Sequence, residues 1–327
     1  MFQTRITEMF GIKYPIVGGG MQWLSNAELV AAISNTGGLG ILASASLPSP
    51  QDLREELKKT KSLTDKPFGV NINLFPTMRP LNTEEYIDTL IDEGVRIVET
   101  SGRSPEPYLE QFKKGGVRVV HKVARIRDAL TAERVGVDAV TIVGFEAGGH
   151  PGMDDVTTMI LVPQAVNSLK VPLMCGGGIG DARGFVAALA LGAEGVVMGT
   201  RFLASKECWA HPKIKEWMVQ AGETDTMIIE RSIKNAGRYM KTKPAQDVLE
   251  MEEKGATLEE LLPHISGLRT KEAYTSGDLD AGVISCGQVV GLVQDVPTVQ
   301  EIIDSIIADA QALLERLHSM GAATSVK

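Results

Sequence analysis

Two glycine turns and two isolated basic residues carry most of the chemistry this sequence offers. The segment Pro172-Leu-Met-Cys-Gly-Gly-Gly-Ile-Gly-Asp181 and the segment Gly195-Val-Val-Met-Gly-Thr-Arg-Phe202 each run from an apolar stretch into glycine. Glycine removes the side chains that would keep a phosphate from backbone N–H groups, and a helix opening near Asp181 would add its positive end. The pair therefore reads as a phosphate cradle. A plainer role for such glycines is to tighten the turn between a strand and a helix. Lys122 sits in an otherwise apolar run, Arg118 to Val123, and His150 closes Glu146-Ala-Gly-Gly-His150 with Pro151 and Gly152 beyond it. An imidazole so placed can take a proton from carbon or donate a hydrogen bond to a substrate oxygen. Lone histidines more often serve structure, and a lysine stem can also pack on apolar surface while its ammonium reaches water.

Other phosphate and metal motifs do not match. The early Gly18-Gly19-Gly20-Met21-Gln22-Trp23 puts Trp23 where a dinucleotide fingerprint needs a small residue, and the later run puts Asp181 there. No Gly-Lys-Ser or Gly-Lys-Thr triplet occurs. The five histidines have no zinc spacing, and the three cysteines, Cys175, Cys208 and Cys286, have no C-x-x-C spacing. We expect no metal and reduced thiols.

The elements that would position these residues recur along the chain. Eight short apolar runs alternate with helical spacing: Tyr14 to Met21, Leu39 to Ser44, Phe68 to Phe75, Ile97 to Gly102, Arg118 to Val123, Ala139 to Glu146, Pro172 to Gly178 and Gly195 to Phe202. Near-continuous apolar strands are those of a parallel sheet covered on both faces. Closure gives an α/β fold, a (β/α)8 TIM barrel, whose seventh and eighth loops hold phosphate. After Phe202 the chain turns polar, and from Cys208 to Asp280 it reads as helical with no strand. The predicted organisation is a barrel of residues 1–207 and 282–327 interrupted by a helical insertion, 208–281, which leaves from the catalytic face as a lid or serves only as a solubilising helix set. The stretch Thr298 to His318 then supplies the outer eighth helix, with Ile302, Ile303, Ile306, Ile307 and Ala310 as its apolar stripe.

The 327 residues are 43% hydrophobic and carry a formal charge of −8. That balance argues against nucleic-acid binding and for small-molecule chemistry. No apolar run has the length of a membrane span and the first residues lack a signal-peptide core, so a cytoplasmic protein is expected. The sequence is compatible with a homodimer.

Taken together, Pro15-Ile-Val-Gly-Gly-Gly-Met-Gln-Trp23, Gly37-Gly-Leu-Gly40, Pro67-Phe-Gly-Val-Asn71, Ala147-Gly-Gly-His-Pro-Gly152, Gly176-Gly-Gly178, Met198-Gly-Thr-Arg-Phe202 and Gly287-Gln-Val-Val-Gly-Leu292 resemble the FMN-dependent nitronate monooxygenases, formerly called 2-nitropropane dioxygenases. The resemblance covers nearly the whole chain. Gly-His-Pro-Gly and Leu74-Phe-Pro-Thr-Met-Arg-Pro80 make it most similar to a bacterial NADH:quinone reductase branch, although Met78 stands where a polar residue is expected there. FMN-containing enoyl-acyl-carrier-protein reductases are close relatives. The resemblance implies an oxidoreductase flavoprotein with FMN on Gly20, Met21, Asn71, Lys122, Gly149, Gly176, Gly178, Gly199 and Thr200, and NADH or NADPH as co-substrate. Lys122 would stabilise negative charge on the reduced ring, and His150, with Lys122, would be catalytic. His121 would face the other side of its strand and be structural. The favoured reaction is electron transfer from NAD(P)H to a quinone-type acceptor. Oxidation of an alkyl nitronate with O2, reduction of an enoyl compound and non-catalytic flavin binding are the alternatives.

Overall fold

A computed structural model describes residues 2–75 and 82–322. Eight parallel strands, β1 (Ile16–Gly18), β2 (Leu39–Ala43), β3 (Phe68–Asn73), β4 (Ile97–Ser101), β5 (Arg118–Val123), β6 (Ala139–Val143), β7 (Leu173–Gly176) and β8 (Gly195–Met198), pair in sequence order. The barrel closes through β1 against β8, with Val17 opposite Val197. Each expected strand is present; β5 keeps its expected bounds and the other seven end earlier than expected.

Helix α1 (Arg5–Phe10) precedes the barrel and seals one end of it. Thr4 caps α1 in a reciprocal capping box and Gly11 ends it in the left-handed region. Ile6 and Phe10 of α1 pack with Val17, Leu39, Ile41, Ile97, Val120, Ala139 and Met174, which fill the barrel interior. The outer helices are α2 (Ala27–Asn35), α3 (Pro50–Leu63), α4 (Thr83–Asp92), α5 (Leu109–Lys114), α6 (Ile126–Val135), α7 (Thr158–Ser168) and α8 (Ala182–Ala190). After β8 and the single turn α9 (Thr200–Leu203) come α10 (Pro212–Gln220), strands β9 (Thr226–Ile229) and β10 (Gly237–Met240), and α11 (Lys243–Glu253), α12 (Leu258–Ile265) and α13 (Gly267–Ser276). Helix α14 (Val299–Ala322) then packs between α8 and α2 as the eighth outer helix. Its predicted stripe, Ile302, Ile303, Ile306, Ile307 and Ala310, is buried. Each such apolar side chain contributes about 1.5–3 kcal/mol of gross burial energy, enough to bring the chain back to the barrel after a long excursion.

The insertion departs from its prediction in one respect. It contains an antiparallel hairpin, β9 with β10, in which Tyr239 pairs with Met227. The strands are four residues each, too short for a period to show, and the charged Arg238 at their centre is hidden in the fold. Its guanidinium donates to the Phe145 carbonyl at 3.1 Å and to the Thr226 hydroxyl at 3.0 Å, and it lies over the Phe145 ring. All three cysteines are buried and unpaired. Among the described residues no helix is long and apolar enough to cross a membrane.

Candidate active site

Side chains alternate along a strand, so the positions two residues beyond the interior layer form the next ring toward the strands' C-terminal ends. That ring takes one residue from each strand or its exit: Gly19, Ala43, Asn71, Glu99, Lys122, Thr141, Gly176 and Gly199. Polar groups from β3 to β6 occupy one half, and glycine or alanine from the other strands leaves the opposite half without side-chain bulk. The result is a floor with one polar wall.

The wall is a connected set. Glu99 is completely buried, and its Oε1 accepts from Asn71 Nδ2 at 2.7 Å and from Lys122 Nζ at 3.0 Å. Register places Asn71 beside Glu99 and Ser101 beside Lys122 on neighbouring strands. Glu99 Oε2 and Thr141 Oγ1 have no partner among the described residues. An unsatisfied buried polar atom costs about 1–3 kcal/mol, a cost that marks functional ground rather than stability. Glu99 was missed in the sequence. Its signal was the one that singled out Lys122, a lone charge in an apolar strand. His121 points out of the lumen, as expected: it is buried, with Nδ1 2.8 Å from the Thr100 hydroxyl. Burial lowers its pKa to about 4.

The glycines take different parts. A Cβ on Gly20 would lie 2.7 Å from the Asn71 Cβ, so Gly20 lets the β1 loop close onto Asn71. Met21 lies beside Gly199, and its N–H is tied to Ser25 Oγ at 2.9 Å. Gly177 and Gly178 have φ of +104° and +74°, and their N–H groups find no acceptor among the described residues. Left-handed backbone of this kind turns successive N–H groups into an anion-binding concavity. Thr200 Oγ1 accepts from Gly287 N at 3.0 Å, beside the buried Cys286 thiol. One element of the expected cradle is engaged otherwise. Asp181 caps α8 by accepting from Arg183 N at 2.8 Å and Gly184 N at 3.3 Å, so that helix end is already satisfied. Gly176 is a strand residue whose carbonyl accepts from Gly144 N, and Gly149 donates its N–H to the Arg238 carbonyl.

His150 is held apart from this wall. The loop that carries it is wedged on three sides. A Cβ on Gly148 would meet Gly287 N at 2.7 Å, one on Gly152 would meet Ala124 at 2.7 Å, and Gly149 bridges Arg238 of β10. The half-exposed imidazole makes its contacts with the insertion. Its Nε2 lies 3.0 Å from Asn235 Nδ2 and 3.9 Å from Glu230 Oε2. The return segment after α13 joins the same construction, since Gln288 N donates to the Glu146 carbonyl and Gly180 packs on Val289. The Gly287 to Leu292 motif thus ties together the loops after β6, β7 and β8. Most of the Leu74 to Pro80 loop, Met78 included, lies outside the described residues.

An eight-stranded parallel barrel with its polar wall and free glycine N–H groups at the C-terminal mouth defines a (β/α)8 barrel with an enzyme-type site. The model of the family described as Nitronate monooxygenase matches residues 3–309, and the chain belongs to that family of oxidoreductases. It is 33% identical to the (3aS,4S,5R,7aS)-5-hydroxy-7a-methyl-1-oxo-octahydro-1H-indene-4-carboxyl-CoA dehydrogenase of Rhodococcus jostii, over 98% of each chain. It is 31% identical to a probable nitronate monooxygenase of Staphylococcus saprophyticus, over 96% of this chain and 99% of the relative. The solved structure of FabK from Thermotoga maritima superimposes with a TM-score of 0.91 at 37% identity, covering 98% of this chain and all of that one.

Proposed function

We propose that this chain is an FMN-dependent, NAD(P)H-linked reductase whose substrate is an unsaturated acyl thioester. The observation that carries the cofactor is the floor of the mouth, with free Gly177 and Gly178 N–H groups on one side and the Asn71, Glu99 and Lys122 wall on the other. A dianionic phosphate fits the first and the polar edge of a flat ring fits the second. Gly178, Gly199 and the Thr200 hydroxyl would hold the phosphate, Gly176 and Gly149 would allow close approach, and Gly20 and Met21 would line the β1 side. FMN, when bound, supplies a two-electron carrier between nicotinamide and substrate. Lys122 contributes a fixed positive charge and Asn71 a hydrogen-bonding amide. Glu99 holds both side chains in place. His150 gives a hydrogen bond to the carbonyl oxygen, and the substrate α-carbon takes its proton from solvent.

The thioester is favoured over a quinone because the carboxyl-CoA dehydrogenase resembles this chain from end to end, whereas the loop that suggested a quinone reductase is mostly outside the described residues. A nitronate remains the second reading, supported by the family and by the staphylococcal relative. We assign residues 208–281 as an insertion that roofs the mouth of a barrel made by 1–207 and 282–327. It is clipped on two sides, at Gly149 with Arg238 and where Trp23 Nε1 donates to the Gly267 carbonyl at 2.7 Å.

The test is anaerobic. FMN-loaded protein is mixed with NADH or NADPH, and the reduced protein is then offered a 2-enoyl-CoA, a quinone, or O2. Bleaching by nicotinamide followed by fastest reoxidation with the enoyl-CoA is expected. Bleaching only by propyl nitronate returns the monooxygenase reading, and reoxidation by quinone alone the quinone reductase.

A further inference from the structure

We infer that the insertion hairpin sets the tautomer of His150, through a relay of Tyr239, Glu230 and Asn235 that keeps the imidazole proton on Nδ1. This rests on the reading of His150 as the group that serves substrate. The residues form one hydrogen-bonded line. Tyr239 OH donates to Glu230 Oε1 at 2.5 Å, Asn235 Nδ2 donates to Glu230 Oε2 at 2.6 Å, and the same Nδ2 lies 3.0 Å from His150 Nε2.

The direction of each bond follows from what each group can do. Glu230 is buried, and as a carboxylate it accepts only. Reversing the Asn235 amide would set its Oδ1 against Glu230 Oε2 at that same 2.6 Å, two acceptors face to face. The amide nitrogen must therefore face Glu230, and its second hydrogen points at His150 Nε2. An imidazole nitrogen that accepts carries no proton, so the proton of neutral His150 is on Nδ1. Tyr239 anchors the far end as a donor. It is buried, and desolvation together with the Glu230 charge pushes its pKa well above the ordinary range.

The backbone supports a built relay rather than a chance contact. Glu230 sits at φ +67°, a conformation that costs a side-chain-bearing residue of order 1 kcal/mol and persists where surrounding contacts over-determine it. Glu252 supplies those contacts by accepting from Glu230 N at 2.7 Å and Ser232 N at 2.8 Å. Asn235 N closes the turn onto the Glu230 carbonyl at 3.0 Å. Asn235, Glu230 and Tyr239 are thus positioning residues. They present Nδ1–H as the donor of His150 and couple it to the folding of the insertion.

The experiment reads the tautomer directly, from the side-chain nitrogen shifts of His150 in 15N-labelled, flavin-free full-length protein with the ring in its neutral form. Nδ1–H is expected in the parent. Glu230→Gln should reverse it. Tyr239 would still donate to the Gln oxygen, the Gln amide would face Asn235, Asn235 would turn its oxygen outward, and Nε2 would become protonated. Asn235→Leu should give a mixture of tautomers and lower kcat by about tenfold, part of the roughly 10²–10⁴-fold that general acid–base groups contribute, with the half-reaction with nicotinamide unchanged. An Nε2–H tautomer in the parent, or no switch in a folded Glu230→Gln protein, overturns the inference. Failure of the enoyl-CoA assay with the tautomers as stated would remove the substrate assignment and leave the relay standing.

Discussion

Replacing Lys122 by Met should destabilise the protein, and replacing Glu99 as well should restore most of the loss. Lys122 is one of two donors to a carboxylate with no solvent exposure, and the other Glu99 oxygen already lacks a partner. Removing one member of a buried pair costs about 3–5 kcal/mol, because the remaining charge is stranded. The Lys122 side chain is itself 29% exposed, so solvent screens part of the attraction and the lower end, about 3 kcal/mol, is expected. With an unfolding entropy of about 2.1 cal/mol/K per residue over the 327-residue chain, 1 kcal/mol corresponds to about 1.5 °C in Tm, and the loss to about 4–5 °C. Glu99→Gln alone should cost about 1 kcal/mol, since the ammonium can still turn to water. In the double variant no stranded carboxylate remains, and its stability should lie within about 1 kcal/mol of Glu99→Gln, a coupling of about 2 kcal/mol. Denaturant unfolding of the four flavin-free proteins measures the cycle. Additive losses, or a Lys122→Met protein as stable as the parent, would refute the buried-pair reasoning.

Three further outcomes test separate parts of the molecule. His121 is held neutral with a pKa near 4 against an ordinary 6.5; a depressed pKa means that the unfolded chain binds the proton first, so stability is full above about pH 6.5 and falls by about 3 kcal/mol as pH drops to 4. His121→Gln should flatten that slope in unfolding measured across the same range, and an unchanged slope would assign it to other groups. Gly178→Ala places a side chain at φ +74° beside Glu146, which strains the turn by about 1–2 kcal/mol and should weaken FMN binding about tenfold in a fluorescence titration; equal affinity would remove Gly178 from the phosphate site. Trp23→Phe keeps an aromatic ring but loses the bond to the Gly267 carbonyl, and amide exchange in α13 should then quicken while that in the barrel strands does not.

The barrel was legible because its signal is redundant. Eight apolar runs each reach a glycine or polar residue at the same end, and Ile302, Ile303, Ile306 and Ile307 mark the closing helix even after the insertion separates it from β8. The insertion was half legible. Its helical character is real, and Gly255, which has φ +83°, separates α11 from α12. The hairpin between Thr226 and Met240 could not be read from pattern, because Arg238 looks like a surface residue until Phe145 and Thr226 are brought to it from outside the strand.

The site itself divides along the same physical line. Lys122 and Asn71 were visible because a polar residue near the end of an apolar strand must face either solvent or the lumen. Glu99 carries the same signal, since it shares its strand face with Ile97 of the interior layer. His150 is different. The sequence could place it at the rim, but what orients it comes from Asn235 and Glu230, some eighty residues later and on a turn whose left-handed backbone has no glycine to announce it. The glycines assigned to the proposed phosphate site are read locally because they act through the backbone. The tautomer of His150 depends on side chains converging from two loops, and only the folded insertion brings them together.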